Sequence, residues 1–138
     1  MTDFSFTTLS TSEWDSKIEA GLRKECEALT GLGNAFNFHS IYVKNGDVFA
    51  GGIYLEHHGL ILWIDSLWVE PNFRGQGIGK TLLQEALLFA RQNKTKEMQL
   101  NTYFREAHGF FLTCGFEEVV SIPNWKYGLT CYLMRKSI

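Results

Sequence analysis

The sequence predicts a single-domain α/β (α+β) protein, residues 1–138, with a mixed, mostly antiparallel twisted sheet of about six or seven strands flanked by helices. Runs of β-branched and aromatic residues recur along the chain, and segments with helical period separate them. No internal repeat, linker or low-complexity tract divides the chain. A length of 138 residues is enough for one hydrophobic core and too short for two domains.

The N-terminal part predicts a strand followed by a helix. Residues 4–9, FSFTTL, alternate weakly as a short strand, and Ser10 with Glu13 forms a capping box that opens a helix. Glycines at positions 31 and 33 end this helix. Its apolar residues fall at steps of four, four, four and three, which aligns them on one face: Trp14, Ile18, Leu22, Cys26 and Leu29.

The next segments predict a hairpin and a central strand. HSIYV and DVFAGGIYLE flank the turn signal Asn45-Gly46, which is typical of a tight hairpin. Gly59 then precedes LILWIDSLWV, residues 60–69, a β-branched and aromatic run that predicts a well-buried strand in the middle of the sheet.

The C-terminal half predicts two helices and three strands. A helical period begins at Ile78 and follows directly on a glycine-rich stretch, so the glycines lie between the end of a strand and the start of a helix. EMQLNTY, GFEEVV and GLTCYLMRK are the strands, and a short helix from Glu106 to Cys114 separates the first two.

Composition and charge argue against several classes of protein. Thirteen Lys and Arg against fifteen Asp and Glu give a net charge of −2, so we expect no nucleic-acid partner. The cysteines at 26, 114 and 131 are widely spaced without a CxxC pair, which argues against a disulfide framework and a zinc cluster. The chain shows no export signal and no apolar run long enough for a membrane span, so we expect a cytoplasmic protein without a membrane partner.

The stretch RGQGIGKT, residues 74–81, indicates a phosphate-binding loop. A Walker A loop would need glycine at position 74, which is Arg74, and a dinucleotide fingerprint started at Gly75 would need glycine at position 80, which is Lys80. The remaining pattern is R-x-x-G-x-G between a strand and a helix, where backbone N–H groups and the helix dipole favour an anion.

At these residues the chain resembles the GNAT superfamily of acyl-CoA-dependent N-acetyltransferases, whose pyrophosphate loop carries R/Q-x-x-G-x-G/A. LWVEPNFRGQGIGKTLLQEAL resembles the family's central strand, loop and helix, and AHGFFLTCGF resembles its A-x-x-F-Y-x-x-x-G-F element. The closing GLTCYLMRK is similar to the last strand of small histone or polyamine acetyltransferase-like members. Residues 48–136 carry the resemblance, in the family's order.

The resemblance implies a binding site for acetyl-CoA as cosubstrate, without a metal. The free backbone of the central strand would pair with the pantetheine arm at Leu67, Trp68 and Val69, and one N–H would face the thioester oxygen. Dimerisation through the last strands is common in similar proteins. The pyrophosphate would lie against backbone N–H groups, with charge from Arg74 or Lys80; these groups belong to Gly75, Gln76, Gly77, Ile78 and Gly79.

Catalysis needs a neutral amine and a proton for the departing thiolate. Asp65, expected on the same strand face as Trp63 and Leu67, is the candidate base, and a structural hydrogen-bonding role is the alternative. The family often places a tyrosine acid where this chain has Phe111, which can only pack against the acetyl or pantetheine group. Tyr103 is the candidate acid, with His108 or water as alternatives.

Other interpretations stay open at this point. Phe111 also suits a non-catalytic acyl-CoA-binding or sensing module. A phosphate-loop nucleotidase, which would bind ATP or GTP instead of CoA, is disfavoured by the motif count. Cys114 as a nucleophile and the pair His57-His58 as metal ligands are both weaker than structural roles. The acceptor is an amine of a small molecule, peptide or protein. Several aromatic residues are candidates for its pocket: Phe36, Phe38, Tyr54, Trp63, Trp125 and Tyr127.

Overall fold

A computed structural model describes residues 5–6, 12–31 and 36–138 in two compact units, residues 1–34 and 35–138. In the first unit, helix α1 spans Ser12–Thr30. It ends where Gly31, at φ +66°, donates its N–H to the carbonyl of Glu27 at 2.9 Å. The predicted strand at residues 4–9 and the predicted cap at Ser10 lie outside the described residues, apart from positions 5 and 6.

The second unit contains a six-stranded mixed sheet, which confirms the predicted fold class. The strands lie in the order β1-β2-β3-β4-β6-β5, and every neighbouring pair is antiparallel except β3 and β4, which are parallel. The predicted hairpin turn at Asn45-Gly46 joins β1 to β2. The strands are β1 Phe36–Asn45, β2 Val48–His58, β3 Ile61–Val69, β4 Glu97–Thr102, β5 Glu117–Ile122 and β6 Cys131–Ser137.

Two helices of the second unit pack against the sheet. α2 spans Ile78–Gln92 and α3 spans Arg105–Thr113, both within two residues of the sequence prediction. α2 buries Leu82, Ala86 and Ala90 because these residues recur at steps of four and share one face. The sheet face against α2 is called the helix face, and its buried residues are Ile53, Leu55, Leu62, Ile64, Met98, Leu100 and Met134.

A β-bulge interrupts β3 at Asp65. Ile64 pairs with Leu55 and Ser66 pairs with Tyr54, so Asp65 is an extra residue without a partner on β2. The bulge shifts the side-chain alternation by one residue. Trp63 and Leu67 therefore lie on opposite faces of the sheet, and the expectation that Asp65 shares one face with both is wrong.

The two faces of the sheet at β1 to β3 carry different side chains. The face opposite α2 is called the aromatic face and carries Phe38, Tyr42, Tyr54, Trp63 and Trp68. Asp65 is exposed, so the strand is not buried at this position as the sequence predicts. In the described ranges, none of the helices has both the length and the apolar character needed to span a bilayer.

Candidate active site

A gap opens between the two parallel strands at the centre of the sheet. β3 and β4 pair only at Ile61 to Trp63 with Glu97 to Gln99, although β3 continues to Val69 and β4 to Thr102. Beyond Trp63 the strands diverge, and among the described strands none fills the space between them. Within the described strands, β3 therefore has backbone beyond Trp63 that is not paired with β4, as the resemblance implies for the central strand.

The hydrogen-bond alternation of β3 determines which backbone groups face the gap. The N–H of Glu70 donates to the carbonyl of Ala50 on β2 at 2.8 Å. Bonded and non-bonded pairs alternate along an antiparallel ladder, so the backbone of Trp68 also faces β2, whereas Leu67 and Val69 face the gap. The assignment of Trp68's backbone to a pantetheine arm is corrected by this register, because β2 already occupies that position.

The glycine-rich loop follows directly on β3 and ends at the start of α2. Gly75 and Gly77 have φ of +77° and +81°, a region that residues with a Cβ rarely adopt. The first intrahelical bond runs from the N–H of Thr81 to the carbonyl of Gly77. The N–H groups of Ile78, Gly79 and Lys80 precede this bond, so they have no acceptor within the helix.

The first turn of α2 departs from the usual rules for helix stability. In the described part of the chain no side chain caps this helix, its first turn contains no acidic residue, and Lys80 places a cation at the positive end of the dipole. An anion at this position would satisfy the free N–H groups and offset both charges. The amino end of α2 therefore has the backbone groups and the charge that suit an anion.

Lys80 also borders a hollow beside α2. The hollow has a volume of about 220 Å³, an apolar floor that includes Leu83 and Phe116, and a second cation, Lys136, on its rim. Lys136 donates from Nζ to the carbonyl of Cys114 at 2.9 Å, which holds its charge in place. Lys80 in the first turn of α2 and Lys136 on β6 therefore border one hollow.

Arg74 is positioned by β3. Its Nε donates to the carbonyl of Val69 at 2.8 Å, and its guanidinium carbon lies 4.8 Å from the ring centroid of Trp68. This bond occupies the Val69 carbonyl that faces the gap. Three backbone groups of β3 at the gap can therefore bind a ligand: the N–H of Val69 and the N–H and carbonyl of Leu67.

The two candidate catalytic residues lie on opposite walls of the gap. Asp65 is on β3 beyond the last pair with β4, and its Oδ2 accepts a 2.8 Å hydrogen bond from the hydroxyl of Ser66. Tyr103 follows the last residue of β4 and is half-buried. The bulge, which the sequence showed only as the polar pair Asp-Ser within an apolar run, turns Asp65 out of the regular ladder.

Phe111 and His108 both have contacts within the protein. Phe111 is 5% exposed and packs between Phe110 and Phe116, at centroid distances of 5.3 and 5.5 Å, so it belongs to the core. His108 pairs through Nε2 with Glu118 at 2.8 Å and stacks on Tyr132 at 4.0 Å. Sequence reasoning missed this cluster, because its members lie on three separate elements.

The candidate acceptor residues separate into two groups. Phe38 and Tyr54 stack on the aromatic face with centroids 5.6 Å apart, and Trp63 lies on the same face. Trp125 and Tyr127 lie between β5 and β6, at the far edge of the sheet. The side chain of Phe36 is outside the described parts. Tyr42, Phe49 and Trp68, which sequence reasoning did not select for this pocket, border the same hollow as Tyr54.

Among the described residues, the remaining reactive side chains do not form a second centre. His58 pairs with Glu56 at 2.9 Å, and His57 lies near the ring of Phe89, so the adjacent histidines point to different partners. Within the described ranges, no three His, Cys, Asp or Glu side chains are grouped so that they would hold a metal ion. Cys114 is half-buried.

Comparison with known protein families and relatives identifies acetyltransferases. Residues 35–118 match the acetyltransferase (GNAT) domain family. The chain is 32% identical over 90 residues to a blasticidin-S acetyltransferase of Streptomyces morookaense, covering 64% of this chain and 66% of that relative. The aligned region thus spans slightly less than two thirds of that relative's length.

Solved structures show the same fold. An acetyltransferase from Bacillus cereus superposes with a TM-score of 0.87 at 20% identity, covering 97% of this chain and 98% of the other. A PaiA N-acetyltransferase from Thermoplasma acidophilum, solved in complex with coenzyme A, superposes with a TM-score of 0.63 at 19% identity, covering 94% of this chain and 81% of the other.

Proposed function

Because the chain belongs to the GNAT family of acetyltransferases, we propose that it transfers an acetyl group from acetyl-CoA directly to an amine. The observation that supports this most is the position of the gap between β3 and β4 beside the amino end of α2. The unpaired edge of β3 can bind an extended arm that contains amides, and the amino end of α2 next to it can bind a pyrophosphate. Acetyl-CoA has both parts in one molecule, in that order.

We propose that the cosubstrate is held chiefly by backbone groups. The N–H groups of residues 75 to 80 bind the pyrophosphate, and Lys80 adds charge. The pantetheine arm pairs with the open edge of β3, at Leu67 and Val69. Glycine at positions 75 and 77 leaves the approach to the N–H groups open. Apart from each glycine and its two chain neighbours, no heavy atom of the described residues lies within 4 Å of where the Cβ would be.

In the proposed reaction the amine nitrogen attacks the thioester carbonyl carbon. An N–H at the open edge of β3 faces the oxygen and stabilises its developing negative charge, a contribution of roughly 2.7–4 kcal/mol for one donor. Asp65, directly or through water, takes the proton from the amine. The carbon–sulfur bond then breaks, and the CoA thiolate takes a proton from Tyr103 or from water.

The test is calorimetric titration with acetyl-CoA, with ATP in parallel, followed by thiol-release assays on a panel of amines. We expect acetyl-CoA to bind at micromolar concentration, ATP not to bind, and at least one amine to release thiol. Binding without turnover across the panel would support an acyl-CoA sensor instead of an enzyme. No binding of acetyl-CoA would overturn the proposal.

A further inference from the structure

We propose that Arg74 is a positioning residue, which holds the open edge of β3 through the Val69 carbonyl and the ring of Trp68 instead of binding a phosphate of the cosubstrate. The inference rests on the proposed function and deepens it, because the edge that pairs with the pantetheine arm is then fixed by a side chain of the glycine-rich loop. Its support is the location of the guanidinium, the peptide group that it fixes, and the backbone bonds that shape the loop without it.

The guanidinium of Arg74 lies on the side of the sheet opposite α2. Its carbon is 4.8 Å from the ring centroid of Trp68, and the side chain of Trp68 belongs to the aromatic face. The free N–H groups that suit an anion belong to the first turn of α2, which packs on the helix face. The guanidinium therefore points away from these N–H groups, and the cation within that first turn is Lys80.

Arg74 fixes one peptide group at the end of β3. The peptide between Val69 and Glu70 is planar, so its carbonyl and its N–H point in opposite directions. The N–H of Glu70 donates to the carbonyl of Ala50 on β2 at 2.8 Å. The carbonyl of Val69 accepts from Nε of Arg74, also at 2.8 Å. Both polar groups of this peptide thus have partners, and its plane cannot rotate without breaking one of the two bonds.

The orientation of this peptide affects a group that the cosubstrate needs. The peptide plane sets ψ of Val69, and Val69 also carries an N–H that faces the gap. In the described sheet, β4 pairs with β3 only as far as Trp63, so Arg74 supplies a support that a paired strand would otherwise give. A backbone edge that is ordered before the ligand arrives binds it more tightly, because less conformational entropy is lost on binding.

Trp68 gives the guanidinium a firm support. A Cβ on Gly51 of β2 would lie 2.5 Å from the carbonyl oxygen of Trp68, so β2 packs directly against the backbone of this residue. The side chain of Trp68 is 51% exposed, which leaves its ring open to a cation. A planar guanidinium can stack on a ring while it donates from Nε, and the compact ammonium of a lysine cannot reproduce this combination.

The glycine-rich loop has backbone bonds of its own at its entrance. The N–H of Phe73 donates to the carbonyl of Glu70 at 2.9 Å, and the N–H of Arg74 donates to the carbonyl of Pro71 at 3.3 Å. Two glycines with positive φ then lead into α2. We therefore expect loss of the Arg74 side chain to disturb the edge of β3 more than the loop.

Arg74→Lys and Arg74→Met form a matched pair that separates position from charge. Lysine keeps the positive charge but not the planar group, and methionine loses both. If Arg74 positions the edge of β3, each variant should weaken acetyl-CoA binding about ten-fold, as measured by calorimetry. Wild-type affinity in Arg74→Lys would overturn the inference, because a contact with the pyrophosphate needs chiefly the charge.

A double-variant cycle tests the link to the ring. Trp68→Leu removes the support of the guanidinium and should weaken acetyl-CoA binding in the wild-type background. In the Arg74→Lys background the same change should have a much smaller effect, because the stacked contact is already lost. Fully additive losses would show that the two residues act separately, which would overturn the proposed pairing.

Hydrogen exchange in the protein without ligand gives an independent readout. The amide of Glu70 reports the bond to Ala50, and Arg74→Lys should speed its exchange about ten-fold, while amides in the middle of β2 keep their wild-type rates. An unchanged exchange rate at Glu70 would overturn the inference. A general loss of stability would instead speed exchange throughout the sheet, so the local pattern distinguishes positioning from a merely structural role.

The outcomes separate this inference from the proposed function. If the wild type does not bind acetyl-CoA, the proposed function is removed, and exchange at Glu70 still decides whether Arg74 holds the end of β3. If the wild type binds acetyl-CoA and Arg74→Lys binds it equally well, the acetyltransferase proposal stays in place and the positioning role is removed.

Discussion

Asp65 is the bulged residue of β3, and the negative charge of its carboxylate helps to raise the pKa of the Tyr54 phenol. Tyr54 pairs across the ladder with Ser66, the residue next to Asp65. A regular strand would have continued the alternation past Ile64 and given every later side chain the opposite face. The bulge instead leaves Asp65 exposed between the gap and the aromatic face, with one oxygen bonded to the Ser66 hydroxyl. This position is the basis for two predictions.

Replacement of Asp65 by Asn should lower kcat roughly a hundred-fold or more, the effect of losing a positioned base. The Kd of acetyl-CoA should stay within about two-fold, because the pyrophosphate position is formed by the loop and α2. Turnover at saturating acetyl-CoA and calorimetry measure the two quantities. Ser66→Ala is the control, since it removes only the hydroxyl bonded to Asp65 and should have a smaller effect. An unchanged kcat in Asp65→Asn would give Asp65 a structural role.

The same substitution should lower the pKa of Tyr54 toward its ordinary value of 10.0. A nearby carboxylate disfavours the phenolate, so its removal makes the phenol easier to ionise; burial and Glu56 still keep the pKa raised. NMR of ¹³C-labelled tyrosine follows the ionisation across alkaline pH, and Tyr54→Phe identifies the signal. A Tyr54 titration identical in wild type and variant would show that the two groups do not interact.

Gly77→Glu should weaken acetyl-CoA binding roughly a hundred-fold or more, because a carboxylate about 4 Å from a phosphate costs several kcal/mol. A residue with a Cβ at φ +81° also costs about 1 kcal/mol of folding free energy. Gly77→Asn is the matched control, since asparagine tolerates this backbone region and carries no charge. Calorimetry and thermal unfolding measure both effects, and retained affinity in the Glu variant would exclude this loop as the pyrophosphate site.

Lys80→Glu should change stability and binding in opposite directions. An acidic residue in the first turn of α2 stabilises the helix by about 0.3–1 kcal/mol, whereas the wild-type lysine opposes the dipole. Loss of a charge-assisted contact should weaken acetyl-CoA binding about ten-fold or more. Thermal unfolding without ligand measures the expected gain in stability, and calorimetry measures the expected loss of acetyl-CoA affinity. Lys80→Arg, which keeps the charge, should leave stability and affinity near the wild-type values. If Lys80→Glu binds acetyl-CoA as tightly as the wild type, Lys80 does not contact the pyrophosphate.

Tyr103→Phe should lower kcat about ten-fold or more, with little change in fold, because it removes only the phenolic proton donor. The comparison variant is His108→Gln, whose wild-type ring is already occupied by Glu118 and Tyr132 and should matter less for kcat. Steady-state rates with one amine across pH compare the two variants. A larger loss of kcat in His108→Gln would assign the acid role to His108.

The sequence by itself determined the elements and their order in the second unit. Turn residues at Asn45-Gly46 and the apolar steps of four from Ile78 to Ala90 fix local structure, because these signals act between neighbours along the chain. The motif from Arg74 to Gly79 likewise located the loop, since positive φ favours glycine and the following apolar period predicts a helix. These features depend on chain geometry over a few residues.

Only the tertiary structure decided which side chains share a surface. The bulge at Asp65 depends on the register with β2, and no local pattern specifies where a ladder skips a residue. The gap depends on how far two parallel strands stay paired, which the packing of both helices on one face helps to set. The core position of Phe111 and the hollow beside Tyr42 depend on contacts between residues far apart in sequence, and these contacts exist only after the sheet has formed.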